Sequence, residues 1–264
     1  MKTILITGGT SRVGEKLASQ FAAKGYNIVL HCHAQKEKAE AIKKTIQDAG
    51  GRCRLLVGDF LQKDLSASVK SIWATFGSLD GIIHAASLFG SDQTFTTLPN
   101  GEKVGKDATI EKYDVLQTLH ARSLLVMCHA LNELIQKEKK EASILCFLDQ
   151  CISRPMKGYI AYWASKTTAA SLVSALAVEY APFMRVNGVA LGMCAPTRHD
   201  NVDYTENYER LLISNPLRRP VDIDDVAHAA SLVFENSSIN GHITYIDNGE
   251  HIGTSNKALN ACGL

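Results

Sequence analysis

The sequence has no Cys-x-x-Cys pair, no internal repeat, no low-complexity tract and no apolar run approaching the length of a bilayer span. Its seven cysteines are scattered and odd in number, which argues against a disulfide framework and suits reduced thiols in a cytoplasmic protein. A formal net charge of +1 provides no bulk attraction to nucleic acid or to an anionic membrane. Met1-Lys2-Thr3 passes directly into an apolar segment, so neither a signal peptide nor a membrane span is expected. These exclusions point to an ordinary soluble enzyme, and 264 residues suffice to bury a full core as one domain, 1–264.

Short apolar segments alternate with helical spacing along the whole chain. Strands are predicted near 3–7, 28–32, 54–57, 81–84, 143–148, 185–190 and 242–246, with helices between them. That alternation predicts an α/β fold of Rossmann type, a doubly wound parallel sheet with helices on both faces. Val13, Leu17 and Phe21 recur every four residues, Val69, Ile72, Trp73 and Phe76 keep helical spacing, and the aliphatics from Leu172 to Val178 read as core. The mixed-sign run 136–141 reads as a solvated helix end. The polar stretch 91–108 reads as a long loop, a feature that is usually functional or mobile.

Two motifs carry chemistry. The first strand runs into Gly8-Gly9-Thr10-Ser11-Arg12-Val13-Gly14 and then a helix. A glycine-rich turn in that context lets backbone amides approach a pyrophosphate at a helix N-terminus. Tyr162 and Lys166 stand at i and i+4, on one face of a helix, where an ammonium would favour the ionised phenol and ready a tyrosine to exchange a proton near neutral pH. Asp149 lies 13 residues before the tyrosine.

Together these motifs resemble the short-chain dehydrogenase/reductase family over nearly the whole chain, with Asp149 where a relative usually carries serine. Further landmarks fall in order: Asp59 after Leu55-Leu56-Val57, Ala85-Ala86-Ser87 after Ile82-Ile83, and Leu191-Gly192 where the family usually has Pro-Gly. The resemblance implies cofactor contacts from Gly8, Ser11, Arg12 and Val13, from His31, His33 and Ala34, from Asp59 and Phe60, from Ala85, Ala86 and Ser87, and from Tyr162, Lys166, Gly192 and Met193. It implies a catalytic group of Asp149, Tyr162 and Lys166, and a homotetramer. His84 and His120 stand where the family usually has asparagines that stiffen the sheet and help relay protons.

The departures share a direction. Arg12 in the nucleotide turn, Ser87-Leu88-Phe89 after the fourth strand, His31-Cys32-His33, Asp149, and Pro155 with Gly158-Tyr159 ahead of Tyr162 resemble the pteridine reductase branch, which includes dihydromonapterin reductases. An ionised aspartate opposite a developing oxyanion would raise a ketone's barrier, whereas a carboxyl suits a substrate with ring nitrogens. The resemblance then assigns Arg12, Ser87, Phe89, Asp149 and Tyr162 to a flat pterin, with Phe89 stacking on the ring. Side-chain selectivity is expected from the loop after Gly192 and from segment 196–215.

No acidic residue ends the second strand, which reads His31-Cys32-His33-Ala34-Gln35-Lys36, so NADPH is expected over NADH, with Lys36 or Arg12 meeting the 2′-phosphate. His31 and His33 suggest no third ligand, and no metal is expected. The expected activity is NADPH-dependent reduction of a 7,8-dihydropterin such as dihydromonapterin, dihydrobiopterin or dihydrofolate. The alternatives are a carbonyl reductase of the same family, acting on a ketone or 3-oxoacyl substrate, and a catalytically silent nucleotide-binding sensor.

Overall fold

The computed structural model describes residues 1–61, 64–90, 109–194 and 215–253. Segment 91–108 and residues 196–214, to which a loop and substrate selection were assigned above, lie outside the described residues.

Seven strands form one parallel sheet: β1 (Thr3–Thr7), β2 (Asn27–Cys32), β3 (Arg52–Val57), β4 (Gly81–His84), β5 (Ala142–Asp149), β6 (Met184–Leu191) and β7 (Ile243–Ile246). Their spatial order is β3-β2-β1-β4-β5-β6-β7, so the winding reverses between β1 and β4. Among the described residues the α-helices are α1 (Arg12–Ala23), α2 (Lys36–Asp48), α3 (Leu65–Phe76), α4 (Thr109–Gln117), α5 (Ser123–Glu138), α6 (Ile160–Glu179) and α7 (Ile223–Glu235). This is the fold expected from the alternation of patterns. Among the described residues, no helix is long and apolar enough to cross a membrane.

The central strands are buried on both faces, as β1 is at every residue, because helices cover each side of the sheet. One apolar cluster joins Val69, Ile72 and Trp73 of α3 and Leu124 and Leu131 of α5 to Val173 and Leu176 of α6. The other joins Leu17 and Phe21 of α1, Ile42 of α2 and Val226 and Phe234 of α7. Phe21 is fully buried, and its removal would leave a cavity worth roughly 3–5 kcal/mol.

Two expectations need adjustment. Val178 is not core: at 81% exposure it points to solvent, because 173, 176 and 177 already occupy the inward face of α6. β3 starts two residues before the expected position 54, since parallel pairing with β2 carries the strand back through Arg52 and Cys53. The exposed side chains of Arg52 and Arg54 mask that edge strand in the sequence and also protect its open edge.

Candidate active site

The site lies at the carboxyl ends of the strands, around the point where the winding reverses, which is where open α/β sheets bind ligands. Ser11 caps α1, its hydroxyl accepting from Gly14 N–H at 3.0 Å. Gly8 takes a left-handed φ of 65°. A Cβ on Gly14 would lie 2.3 Å from the Gly8 carbonyl oxygen, so only glycine allows the turn to fold back onto the helix start. The result is the backbone cradle with a capped helix behind it that a pyrophosphate requires.

A cleft of about 1260 Å³ opens beside this cradle. It is lined by Gly8, Ser11, Arg12, His31, His33, Ala34, Asp59, Phe60, Ala85, Ala86 and Ser87, eleven of the positions assigned to the cofactor above. Val13 is different: its side chain packs against the core beneath the turn. The cleft also gathers Thr10, Glu37 and Lys38, which the sequence reading did not single out. Lys38 Nζ sits 3.0 Å from Glu15 on α1. Lys36, expected to face the 2′-phosphate, is not among the lining residues; Lys38, two positions on and on the other side of the helix's first turn, is.

The histidines at and beneath the cleft have hydrogen-bond partners on both ring nitrogens, and their tautomers follow from those partners. His31 Nδ1 accepts from Gly8 N–H at 3.3 Å, so Nε2 carries the proton and donates to the Gly58 carbonyl at 2.9 Å. Its ring lies 4.1 Å from that of Phe60. Thr7 Oγ1 accepts from both Ala85 and Ala86 N–H, which leaves its own hydroxyl to donate to His84 Nδ1 at 2.9 Å. His84 Nε2–H then meets Ser123 Oγ at 3.1 Å. Complete burial, aided by the nearby Lys166 charge, pushes the His84 pKa down to about 3.

His120 sits in the π-helical turn Thr118–Arg122 between α4 and α5, a local widening of the kind common at functional sites. Its Nε2 accepts from Leu88 N–H at 3.2 Å and lies 3.1 Å from Ser87 Oγ. Nδ1 therefore carries the proton, meeting Ser165 Oγ at 2.8 Å, and Ser165 in turn donates to the Tyr162 carbonyl. One neutral ring thus ties the segment after β4 to the tyrosine-bearing helix, and burial, with the Lys166 charge, holds its pKa well below the usual value.

Asp149, Tyr162 and Lys166 converge next to it. Asp149 ends β5 and caps the 3₁₀ turn Gln150–Ser153, with Oδ1 accepting from Cys151 N–H at 2.8 Å and Oδ2 from the Tyr162 hydroxyl at 2.9 Å. Lys166 Nζ donates to the Phe147 carbonyl at 3.0 Å and lies 5.8 Å from the centre of the Tyr162 ring. The expectation that Lys166 lowers the phenol pKa toward neutrality is corrected here. Burial raises the Tyr162 pKa well above its ordinary value and the Asp149 carboxylate raises it further, with only a hydrogen bond from Ser87 opposing. Lys166 is itself buried, which lowers its own pKa. The phenol therefore holds its proton and points it at a carboxylate.

Phe89 stands over this group, 61% exposed, edge-on to Tyr162 at 5.0 Å and stacked on Tyr159 at 5.5 Å. An exposed aromatic ring propped by two tyrosines offers a flat apolar face beside the phenol. Met193 N–H is held by Glu250, a residue that no sequence motif marks.

A family model described as Enoyl-(Acyl carrier protein) reductase matches residues 9–251. The chain belongs to the short-chain dehydrogenase/reductase family. It is 26% identical to the 3-oxoacyl-[acyl-carrier-protein] reductase of Aggregatibacter actinomycetemcomitans, over 88% of this chain and 91% of that one. It is equally 26% identical to the dihydromonapterin reductase of Escherichia coli strain SMS-3-5, over 94% and 96% of the two chains. Among solved structures, FolM alternative dihydrofolate reductase 1 from Brucella canis, complexed with NADP, superposes with a TM-score of 0.82 at 25% identity, covering 96% of this chain and 95% of that one. The family is one of oxidoreductases, and this chain retains its tyrosine, its lysine and its glycine cradle.

Proposed function

We propose that this protein is an NADPH-dependent reductase that converts a 7,8-dihydropterin, such as dihydromonapterin, dihydrobiopterin or dihydrofolate, to its tetrahydro form. The observation that carries this reading is the 2.9 Å hydrogen bond from Tyr162 to Asp149, where a ketone reductase of the family would present a serine hydroxyl. A carboxylate at that place opposes the oxyanion of a ketone transition state and suits an edge rich in N–H donors. The Brucella canis neighbour in complex with NADP and the Escherichia coli relative support the cofactor and the substrate class.

When bound in the cleft, the cofactor supplies the hydride. Gly8, Ser11 and the start of α1 hold its phosphates, while Arg12 and Lys38 offer positive charge beside the cleft. Phe89 takes the flat ring on its exposed face, beside the Tyr162 phenol, and Asp149 accepts from ring N–H groups. Tyr162 delivers its proton to the imine nitrogen as the neighbouring carbon is reduced, and Asp149 lies in the path by which the phenol regains one. A cytoplasmic homotetramer completes the proposal. The 3-oxoacyl relative supports a second reading, carbonyl reduction on the same residues.

One comparison separates the two. Asp149→Ser should lower dihydropterin turnover roughly a hundredfold, since a hydroxyl neither carries the charge nor relays the proton, while an activated diketone should be reduced no more slowly. NADPH consumption by wild type and mutant on one substrate of each class reads this out. If both activities fall by the same factor, Asp149 is a structural support and the pterin assignment loses its basis.

A further inference from the structure

Three segments meet on one carboxylate beyond the ends of β5, β6 and β7. Asp149, Leu191 and Ile246 lie in register across these strands, so Gln150, Gly192 with Met193, and Asp247 to Glu250 follow the three strand ends in turn. Glu250 Oε1 accepts from Gln150 Nε2 at 3.1 Å, and its Oε2 accepts from Met193 N–H at 3.2 Å. The approach is close: a Cβ on Gly192 would lie 2.9 Å from Glu250 Oε2 and 2.6 Å from Asp247 Cα.

The arrangement is not what stability alone would select. Burial raises the Glu250 pKa, and the Asp149 and Asp247 carboxylates raise it further, against the Met193 N–H and the Arg154 guanidinium. The carboxyl group stands in a half-buried place already crowded by two carboxylates and the Cys151 thiol, with His251 turned to Asp247 rather than to Glu250. Gln150 is only 7% exposed, and its Oε1 has no hydrogen-bond partner among the described residues.

We infer that Glu250 is a positioning residue of this site: it fixes the Gly192–Met193 turn against the segment carrying Asp149 and so sets how tightly the nicotinamide cofactor is held. This rests on the assignment of Gly192 and Met193 to the cofactor, and not on which substrate is reduced. The geometry also says which replacement preserves the clamp. A glutamine at 250 can accept from Met193 N–H and donate to Gln150 once that amide turns its unpartnered oxygen around. An alanine can do neither.

Fluorescence titration with NADPH, and in parallel with NADH, tests this on wild type, Glu250→Ala and Glu250→Gln, with a thermal melt of each. Glu250→Ala should bind about tenfold more weakly, through the loss of two hydrogen bonds, and Glu250→Gln should recover to within about threefold of wild type. If Glu250→Ala does not fold, Glu250→Asp, one methylene too short to span both partners, takes its place with the same expectation. Unchanged binding in the alanine variant overturns the inference, and so does an equal loss in both variants, which would mean that charge or fold matters and position does not. A wild type that prefers NADH would count against the proposed function, while the comparison among variants would stand in the NADH arm.

Discussion

The cradle at β1 and α1 and the pocket around Asp149 are built on opposite principles. The cradle is contiguous in sequence, made of backbone and one capping hydroxyl, and decided by where glycine stands: Gly8, Ser11 and Gly14 lie within seven residues of one another. The pocket is assembled from side chains at 89, 120, 149, 162, 166 and 250, of which only 162 and 166 share an element, and is tuned by burial. The first tolerates no added atom, and the second no displaced charge. Damage to each should therefore look different.

The largest effect is expected in the pocket. Tyr162→Phe removes the proton without removing the ring, so kcat should fall about a thousandfold while NADPH affinity stays within about twofold. Stopped-flow turnover and a cofactor titration on the same preparation check this. Near-normal kcat at saturating substrate would show that the phenol is not the proton source.

His84 joins the two regions, linking Thr7 of the cradle strand to Ser123 of α5, and it should make the joint acid-sensitive. Its folded pKa, about 3, lies below the unfolded value, so its contribution is present above about pH 6.5 and is lost as pH falls toward 3. Between pH 7 and pH 4 this one group should remove about 3 kcal/mol of stability. His84→Asn should flatten that part of the curve in urea denaturation at several pH values. An unchanged slope would assign the acid sensitivity elsewhere.

Gly14→Ala breaks the cradle by steric means. Overpacking against the Gly8 carbonyl should destabilise the fold by about 2 kcal/mol and weaken NADPH binding, with kcat at saturating cofactor largely kept. A matched loss in kcat would mean that the two regions are not separable. The smallest effect is expected at Lys38, whose exposed pair with Glu15 is weak. Lys38→Ala should raise the KM for NADPH about threefold and leave that for NADH unchanged. Lys36→Ala should change neither, and parallel cofactor kinetics on both variants would show whether α2 reads the 2′-phosphate at 38 or at 36.

The contrast also explains what could be read in advance. Strand and helix positions were legible because burial on both faces of a parallel sheet imposes continuous apolar runs, and helices impose a period of 3.6. The exceptions, Val178 and the start of β3, are a helix residue one step off the inward face and an edge strand with charged outward positions. The cradle was legible because its requirement is local. The resemblance to the family placed Asp149 with Tyr162, and the bond between them is in place. The direction of the phenol's pKa was not legible, because the i, i+4 lysine that the sequence displays turns to the Phe147 carbonyl, while the charge that matters arrives from β5. Glu250 and Lys38 carry no local signature at all, and the sequence marked His120 as a departure from the family without showing that it ties Ser87 and Leu88 to Ser165.

The amino-acid order by itself determined the alternation of strands and helices, the glycine turn, the absence of an acid at the end of β2, and the tyrosine, lysine and aspartate in their places. Those are properties of neighbours along the chain, which covalent spacing and side-chain polarity control. Only the tertiary structure decided which groups share a dielectric environment. It buried Tyr162 beside Asp149, made His84 and His120 neutral rings, and set Glu250 across two strand ends. Electrostatic interaction depends on distance through space and on access to water, and neither quantity is written in the order of residues.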